Sequence, residues 1–149
     1  MLNEIGNLLK QNYRLYSRDL ISILEEQGYS DIRPSFLEIL IHLLSNEGDR
    51  IKNIGDACGL KKQTMTTHLN ALEKRGYISR VENTQDKRQQ GIIFTDDGMK
   101  LKFALVDSIN MLEKKYISIL TKLELERIKV ALQNMNVKLK DRDQLSLPF

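Results

Sequence analysis

The sequence predicts a mainly α-helical fold with one small β-hairpin, an α+β class in which the hairpin is the lesser part. Three observations lead there. Apolar residues recur at spacings of three and four along six separate stretches. Between Arg50 and Arg75 two short helical patterns meet across Gly59. From Tyr77 to Phe94 the pattern changes to β-branched and aromatic residues on both sides of a polar loop.

In chain order, a first helix is expected from about Asn3 to Gln27. Its broad apolar stripe holds Ile5, Leu8, Leu9, Leu15, Tyr16, Leu20, Ile23 and Leu24, and Gly28 ends it. Pro34 and Ser35 open a second helix, Phe36 to Ser45, with Ser35 and Glu38 at capping-box spacing and Leu37, Leu40, Ile41 and Leu44 turned inward. After Gly48, the residues Ile51, Ile54 and Cys58 share one face of a short third helix, which Gly59 breaks. A fourth helix, about Lys62 to Arg75, buries Met65, Leu69 and Leu72. Two short helices across a glycine turn make a helix-turn-helix.

Tyr77, Ile78 and Val81 then suit one strand, and Ile92, Ile93 and Phe94 its partner. The polar loop between them is too long for a tight hairpin turn. A helix-turn-helix followed by such a hairpin is a winged helix, with Lys87 and Arg88 at the wing tip. Thr95 can cap a long helix from about Asp96 to Leu120; at 1.5 Å per residue, roughly 25 residues span about 37 Å. Its apolar positions include Met99, Phe103, Val106, Ile109, Leu112, Tyr116 and Ile119. Thr121 and Glu124 form a second capping-box pair ahead of a last helix, about Lys122 to Lys140. That helix carries Leu125, Ile128, Leu132, Met135 and Leu139 at helical spacing.

Charge is distributed unevenly. Arg50 to Gln90 holds nine Lys/Arg against four Asp/Glu, a local +5, whereas the rest of the chain carries −2. Positive charge concentrated on the helix-turn-helix and wing is what a polyanion binder requires, although a charge run alone describes an ordinary solvated surface equally well. The fourth helix bears Lys61, Lys62, Gln63, Thr64, Thr66, Thr67, His68 and Asn70, mostly short or amide side chains suited to base edges and phosphates. Gln63, Thr64, Thr67 and His68 are the expected contacts to base edges or flanking phosphates, and Lys61 and Lys62 the expected phosphate contacts.

Three short motifs now add up. Leu72 to Ile78 reads LEKRGYI, Asp86 to Arg88 reads DKR, and Phe94 to Gly98 reads FTDDG. In this order and spacing they match the L-E-x-x-G-hydrophobic, D-x-R and L-T-x-x-G signatures, and the chain resembles the MarR family of bacterial transcription regulators. The resemblance implies a single domain over residues 1–143, with a winged helix at about 34–98 and dimerisation helices at about 3–27 and 96–140. It implies a repressor that binds palindromic operator DNA, double-stranded, as a homodimer, with Arg88 in the minor groove, Asp86 bracing the wing beside Lys87, and a small-molecule effector. A two-fold dimer presents two reading helices about one DNA turn apart, which agrees with that use. Two departures stand out: Lys61 occupies a position where the family usually has a small capping residue, and Thr67 and Ala71 occupy positions that are often basic.

Other chemistries find little support. One cysteine, Cys58, excludes an intramolecular disulfide framework and suits core packing better than redox sensing. His42 and His68 lie on different helices, no tight ligand cluster exists, and neither a metal nor any other cofactor is expected. His42 reads as a half-buried core histidine. Neither a nucleophile–base pair nor a phosphate-cradling glycine loop stands out, so no enzyme is read. With no span-length apolar run and no secretory signal, no membrane association is expected and the cytoplasm is the expected compartment. The tail, residues 144–149, reads QLSLPF and resembles the short peptide by which bacterial replication proteins dock on the sliding clamp, through Gln144, Leu147 and Phe149. Chance and packing of the tail on its own dimer are the competing explanations, and an interaction protein acting at the clamp is the alternative to a repressor.

Overall fold

The periodicities close into six helices and one hairpin among the residues described. A computed structural model describes residues 1–82 and 90–144, the side chains of 142–144 excepted. The elements are α1 (Leu2–Glu26), α2 (Pro34–Ser45), α3 (Ile51–Cys58), α4 (Lys62–Lys74), β1 (Ile78–Glu82), β2 (Gln90–Phe94), α5 (Asp96–Leu120) and α6 (Lys122–Gln144). The mainly α fold with a two-stranded antiparallel wing is therefore present as expected. The chain forms two compact units, Met1–Ile109 and Asn110–Phe149, with the boundary inside α5.

The core of the first unit is built on α2. Phe36, Leu37, Ile39, Leu40 and Leu43 are all buried there, whereas Ile41 and Leu44, expected inward, are half-buried. A helix with neighbours on several sides cannot follow a single stripe; α2 touches α1, α3 and α4. Its start also differs from expectation. Pro34 occupies the first turn and Arg33 the N-cap without a side-chain cap, so Ser35 lies inside the helix. Proline suits that position because its fixed φ is helical and the missing N–H has no intrahelical partner anyway. Glu38, freed from capping, accepts a hydrogen bond from the Tyr13 hydroxyl on α1.

The helix-turn-helix closes as a glycine turn should. Gly59 sits at φ +64, and Leu60 N–H returns to Gly55 O at 2.9 Å, the longer bond of a Schellman turn. Ahead of α3, Asp49 Oδ1 accepts from Arg50 N–H and Asn53 Nδ2 at 2.9 Å each, while Oδ2 lies 2.9 Å from His42 Nε2 on α2. His42 is thus half-buried, as read, and its partner ties α2 to the start of α3. Burial alone would raise the Asp49 carboxyl, but the bonds from His42, Asn53 and Arg50 outweigh it and hold the group below its ordinary range.

The wing pairs Ile78 with Phe94 and Glu82 with Gln90 at its two ends. Its outer edge is not left open. Gly48 N–H donates to Ile92 O at 2.7 Å, and Ile92 N–H donates to Asp49 O at 3.0 Å, so the α2–α3 connection runs alongside β2. This approach needs bare backbone: a Cβ on Gly91 would lie 2.5 Å from Gly48 O. Tyr77, expected in the first strand, precedes it; its side chain is drawn away to Asp31.

Thr95 caps α5 as expected. Its Oγ1 accepts from Gly98 N–H at 2.9 Å and donates to Gly76 O, using both roles of one hydroxyl. Gly98 lies against the same strand entry, where a Cβ would stand 1.8 Å from Tyr77 O. Along α5 the apolar positions divide between two faces. Leu101, Leu105, Ser108 and Leu112 are buried, whereas Phe103 is 65% and Ile119 is 70% exposed. Of the expected stripe, Leu112 lies on the buried line, whereas Phe103 and Ile119 lie off it. At the entry to α6, Thr121 Oγ1 accepts from Glu124 N–H and donates to its carboxylate, both at 3.3 Å. The reciprocal half of the expected box is missing because Thr121 N–H stays in the α5 ladder, bonded to Ile117 O at 2.9 Å.

Two outcomes follow from these contacts. Gly98→Ala loses about 3 kcal/mol of stability because backbone must move, whereas Gly59→Asn, left-handed but in open space, loses under about 1 kcal/mol. Urea midpoints at a fixed protein concentration compare the two, and equal losses would remove the steric argument. Asp49 has a depressed folded pKa, so its contribution to stability is complete above the ordinary value of 3.8 and is lost as pH falls through the folded value. Asp49→Asn therefore lowers stability near neutral pH and flattens the acid limb below about pH 4. Chemical denaturation across that range tests it, and an unchanged acid slope would show that Asp49 is not linked to folding.

Candidate nucleic-acid interface

Helix α4 is oriented by what it buries. Met65, Leu69 and Leu72 are all 0–1% exposed. Residues at i, i+4, i+7 and i+11 share a side of a helix, so Gln63, Thr67, Asn70 and Lys74 form one line facing away from that core. All four are exposed. Gly55 lets α3 cross close beneath, since a Cβ there would lie 3.1 Å from Met65 Cγ. Lys61, Lys62, Thr64 and Thr66 are exposed around the start of the helix.

The hydroxyls are already partly committed. Thr66 Oγ1 donates to Lys62 O at 3.0 Å and Thr67 Oγ1 to Gln63 O at 3.1 Å, which leaves each oxygen free to accept. Lys61 is the N-cap, in extended conformation and with no side-chain cap. The first amides of α4 therefore point outward uncapped beside two lysines, a setting that favours anions.

His68 does not join the outer line. It is half-buried, and its ring meets Phe36 of α2 edge-on, with centroids 5.6 Å apart. Phe36 also meets Arg75, whose guanidinium carbon lies 4.8 Å from the ring centroid and whose Nε is 3.4 Å from Asp31 Oδ2. Asp31 also accepts from the Tyr77 hydroxyl at 3.0 Å. Burial first and that carboxylate second push the Tyr77 phenol up to about 12, so it remains a donor at all ordinary pH. One flank of α4 is thereby tied to the α1–α2 connection. The opposite flank meets the wing, where Arg80 of β1 bonds Asn70 and pairs with Glu73.

Toward the same flank lies a cleft of about 660 Å³ between α3, α4 and the base of the wing. It is lined by Arg50, Lys52, Asn53, Lys62, Thr66 and Gln90 among others. Arg50, Lys52 and Lys74 escaped the sequence reading, which counted their charge without placing it. Lys74 had a legible signal, since it follows Thr67 by seven residues. Arg50 and Lys52 had none, because their position depends on how α3 crosses α4.

Asp86, Lys87 and Arg88 lie outside the described residues, as do Leu147 and Phe149; Gln144 ends α6. Cys58 is half-buried, and burial, followed by the charge of Glu38, pushes its thiol up, away from the reactive thiolate. Among the described residues no group of three or more His, Cys, Asp or Glu is placed to hold a metal ion, and no helix is long and apolar enough to cross a membrane.

Comparison with known proteins agrees with this geometry. The sequence profile described as the MarR family matches residues 30–89. The HTH-type transcriptional regulator TtmR of Methylorubrum extorquens (strain PA1) is 38% identical over 69 residues, 46% of this chain and 35% of that protein. This chain therefore spans about a third of that relative. The organic hydroperoxide resistance transcriptional regulator of Bacillus subtilis (strain 168) is 34% identical over 105 residues, covering 70% of this chain and 69% of that one. The MepR–DNA complex of S. aureus superposes with a TM-score of 0.72 at 25% identity, over 90% of this chain and 96% of MepR. A buried apolar line under an exposed polar one, the wing beside it and the extent of these matches lead to one conclusion: the chain belongs to the MarR family.

Proposed function

We propose that this chain is a DNA-binding transcriptional regulator, a repressor that acts in the cytoplasm as a homodimer on a palindromic operator. Helix α4 enters the major groove, and the wing carrying Asp86, Lys87 and Arg88 reaches the minor groove. The observation that carries the proposal is the outer line of α4. Gln63, Thr67, Asn70 and Lys74 are exposed together, with Lys61, Lys62, Arg50 and Lys52 beside them to meet phosphates. The DNA-bound MepR neighbour supports the same use.

Dimerisation is supported by apolar side chains left in water. On α1, Ile5, Leu8, Leu9 and Leu15 are exposed; on α5, Phe103, Val106 and Ile119; on α6, Ile128, Leu132 and Leu139. Apolar residues repeated along three long helices are what a subunit interface covers. The effector's seat is a cleft of about 450 Å³ among α1, α2 and α3, lined by Tyr13, Tyr16, Glu38, His42 and Cys58. Occupancy there would bear on α3, and through it on α4. The chain works by binding rather than by catalysis.

Anisotropy titrations of a selected palindromic duplex test the reading. If about eight phosphates are neutralised per dimer, log affinity falls against log salt with a slope of about −7. Lys62→Ala weakens every sequence alike and makes that slope about 1 to 2 units shallower per dimer. An affinity indifferent to salt would refute DNA binding of this kind. Leu8→Glu, on the exposed face of α1, yields monomers by light scattering and loses the two-fold footprint. A variant that stays dimeric would remove α1 from the interface.

A further inference from the structure

The outer line of α4 contains one side chain whose chemistry is already half spent. An asparagine amide offers an acceptor oxygen and two N–H donors. Used together, they read adenine bidentately, with the oxygen accepting from N6 and the nitrogen donating to N7. At Asn70 the oxygen is engaged: Arg80 Nη2 of β1 donates to Asn70 Oδ1 at 2.5 Å. The direction of the amide follows from chemistry, because a guanidinium has only donors and only the oxygen can meet it.

The guanidinium is itself held in place. Its Nε lies 3.8 Å from Glu73 Oε2, and Glu73 stands three residues beyond Asn70 on the same helix. That Nε is buried and makes no hydrogen bond, so Glu73 acts on it through charge alone. The Arg80 side chain is only 27% exposed, while Asn70 faces outward. Arg80 therefore reaches α4 from the wing side and fixes a residue that it does not itself replace at the surface.

We infer that Arg80 is a positioning residue for sequence reading: it takes one lone pair of the Asn70 oxygen and turns the amide so that its N–H donors are what the bases meet, which makes Asn70 select guanine over adenine. Guanine presents two acceptors, O6 and N7, in the major groove. Adenine would bring its N6 donor toward an oxygen that already has a positive guanidinium beside it. The inference rests on the proposal that α4 lies in the major groove.

Selection from random duplexes, with the full-length parent, Arg80→Met, Arg80→Lys and Asn70→Ala, tests it alongside melting temperatures. The parent selects guanine at one position of each half-site. Arg80→Met narrows the guanine-over-adenine ratio at that position by about 5-fold or more and leaves the other positions unchanged. Arg80→Lys, which keeps a single donor to the oxygen, retains the preference. Asn70→Ala loses it and binds the guanine operator about tenfold more weakly. An Arg80→Met profile that overlays the parent would overturn the inference, as would adenine or thymine at the position. Uniform weakening across all sequences would reduce Arg80 to a structural brace and also overturn it. A parent that enriches palindromes while these variants change nothing sinks only the Arg80 inference; a parent that enriches no duplex sinks the DNA reading as well. Should Arg80→Met fail to fold, Arg80→Ala takes its place, with the same narrowing expected and the same unchanged profile overturning the inference.

Discussion

Burial of Met65, Leu69 and Leu72 sets the orientation of every polar side chain on α4. Each is worth roughly 1.5–3 kcal/mol when fully removed from water. Rolling the helix by one residue, about 100°, would expose part of that line and bury polar groups such as Thr64 and His68 more deeply. The apolar side is thus a constraint on direction as much as a source of stability. It depends in turn on α2, whose buried Phe36, Leu37, Ile39, Leu40 and Leu43 supply the surface on which the helix-turn-helix rests.

Polar contacts refine that orientation from both flanks. On one side Arg75, Asp31 and Tyr77 form a small network against Phe36. On the other, Arg80 joins the wing to Asn70 and Glu73. Half-exposed ion pairs of this kind contribute little to stability. Their consequence is geometric, because a helix held along both edges cannot roll to suit an arbitrary surface. The α2–α3 connection does the same for the wing by pairing with β2 at Gly48 and Asp49.

Helix α5 carries apolar residues on two faces, of which packing within the chain buries one. Met99, Phe103, Val106, Ile109, Leu112, Tyr116 and Ile119 satisfy helical spacing, yet Phe103 and Ile119 are largely exposed while Leu101 and Leu105 are fully buried. Spacing identifies faces but does not rank them. Ser35 and Glu38 failed as a capping box because Pro34 could occupy the first turn without losing a hydrogen bond, and the helix began two residues sooner.

The glycine turn of the helix-turn-helix, the cap of α5 and the buried line of α4 were determined by the sequence itself, because glycines, caps and local apolar spacing act within a few residues of one another. Gly59, Thr95 and the 65–69–72 spacing belong to that class. So does the family, whose three motifs are contiguous words. Only the tertiary structure decided that His68 turns toward Phe36, that Arg50 and Lys52 share a cleft with Lys62, and that Asn70 gives its oxygen to Arg80. Those pairings join residues on different elements, and their partners are selected by how helices and strands cross, a property of the packed core that no local pattern contains.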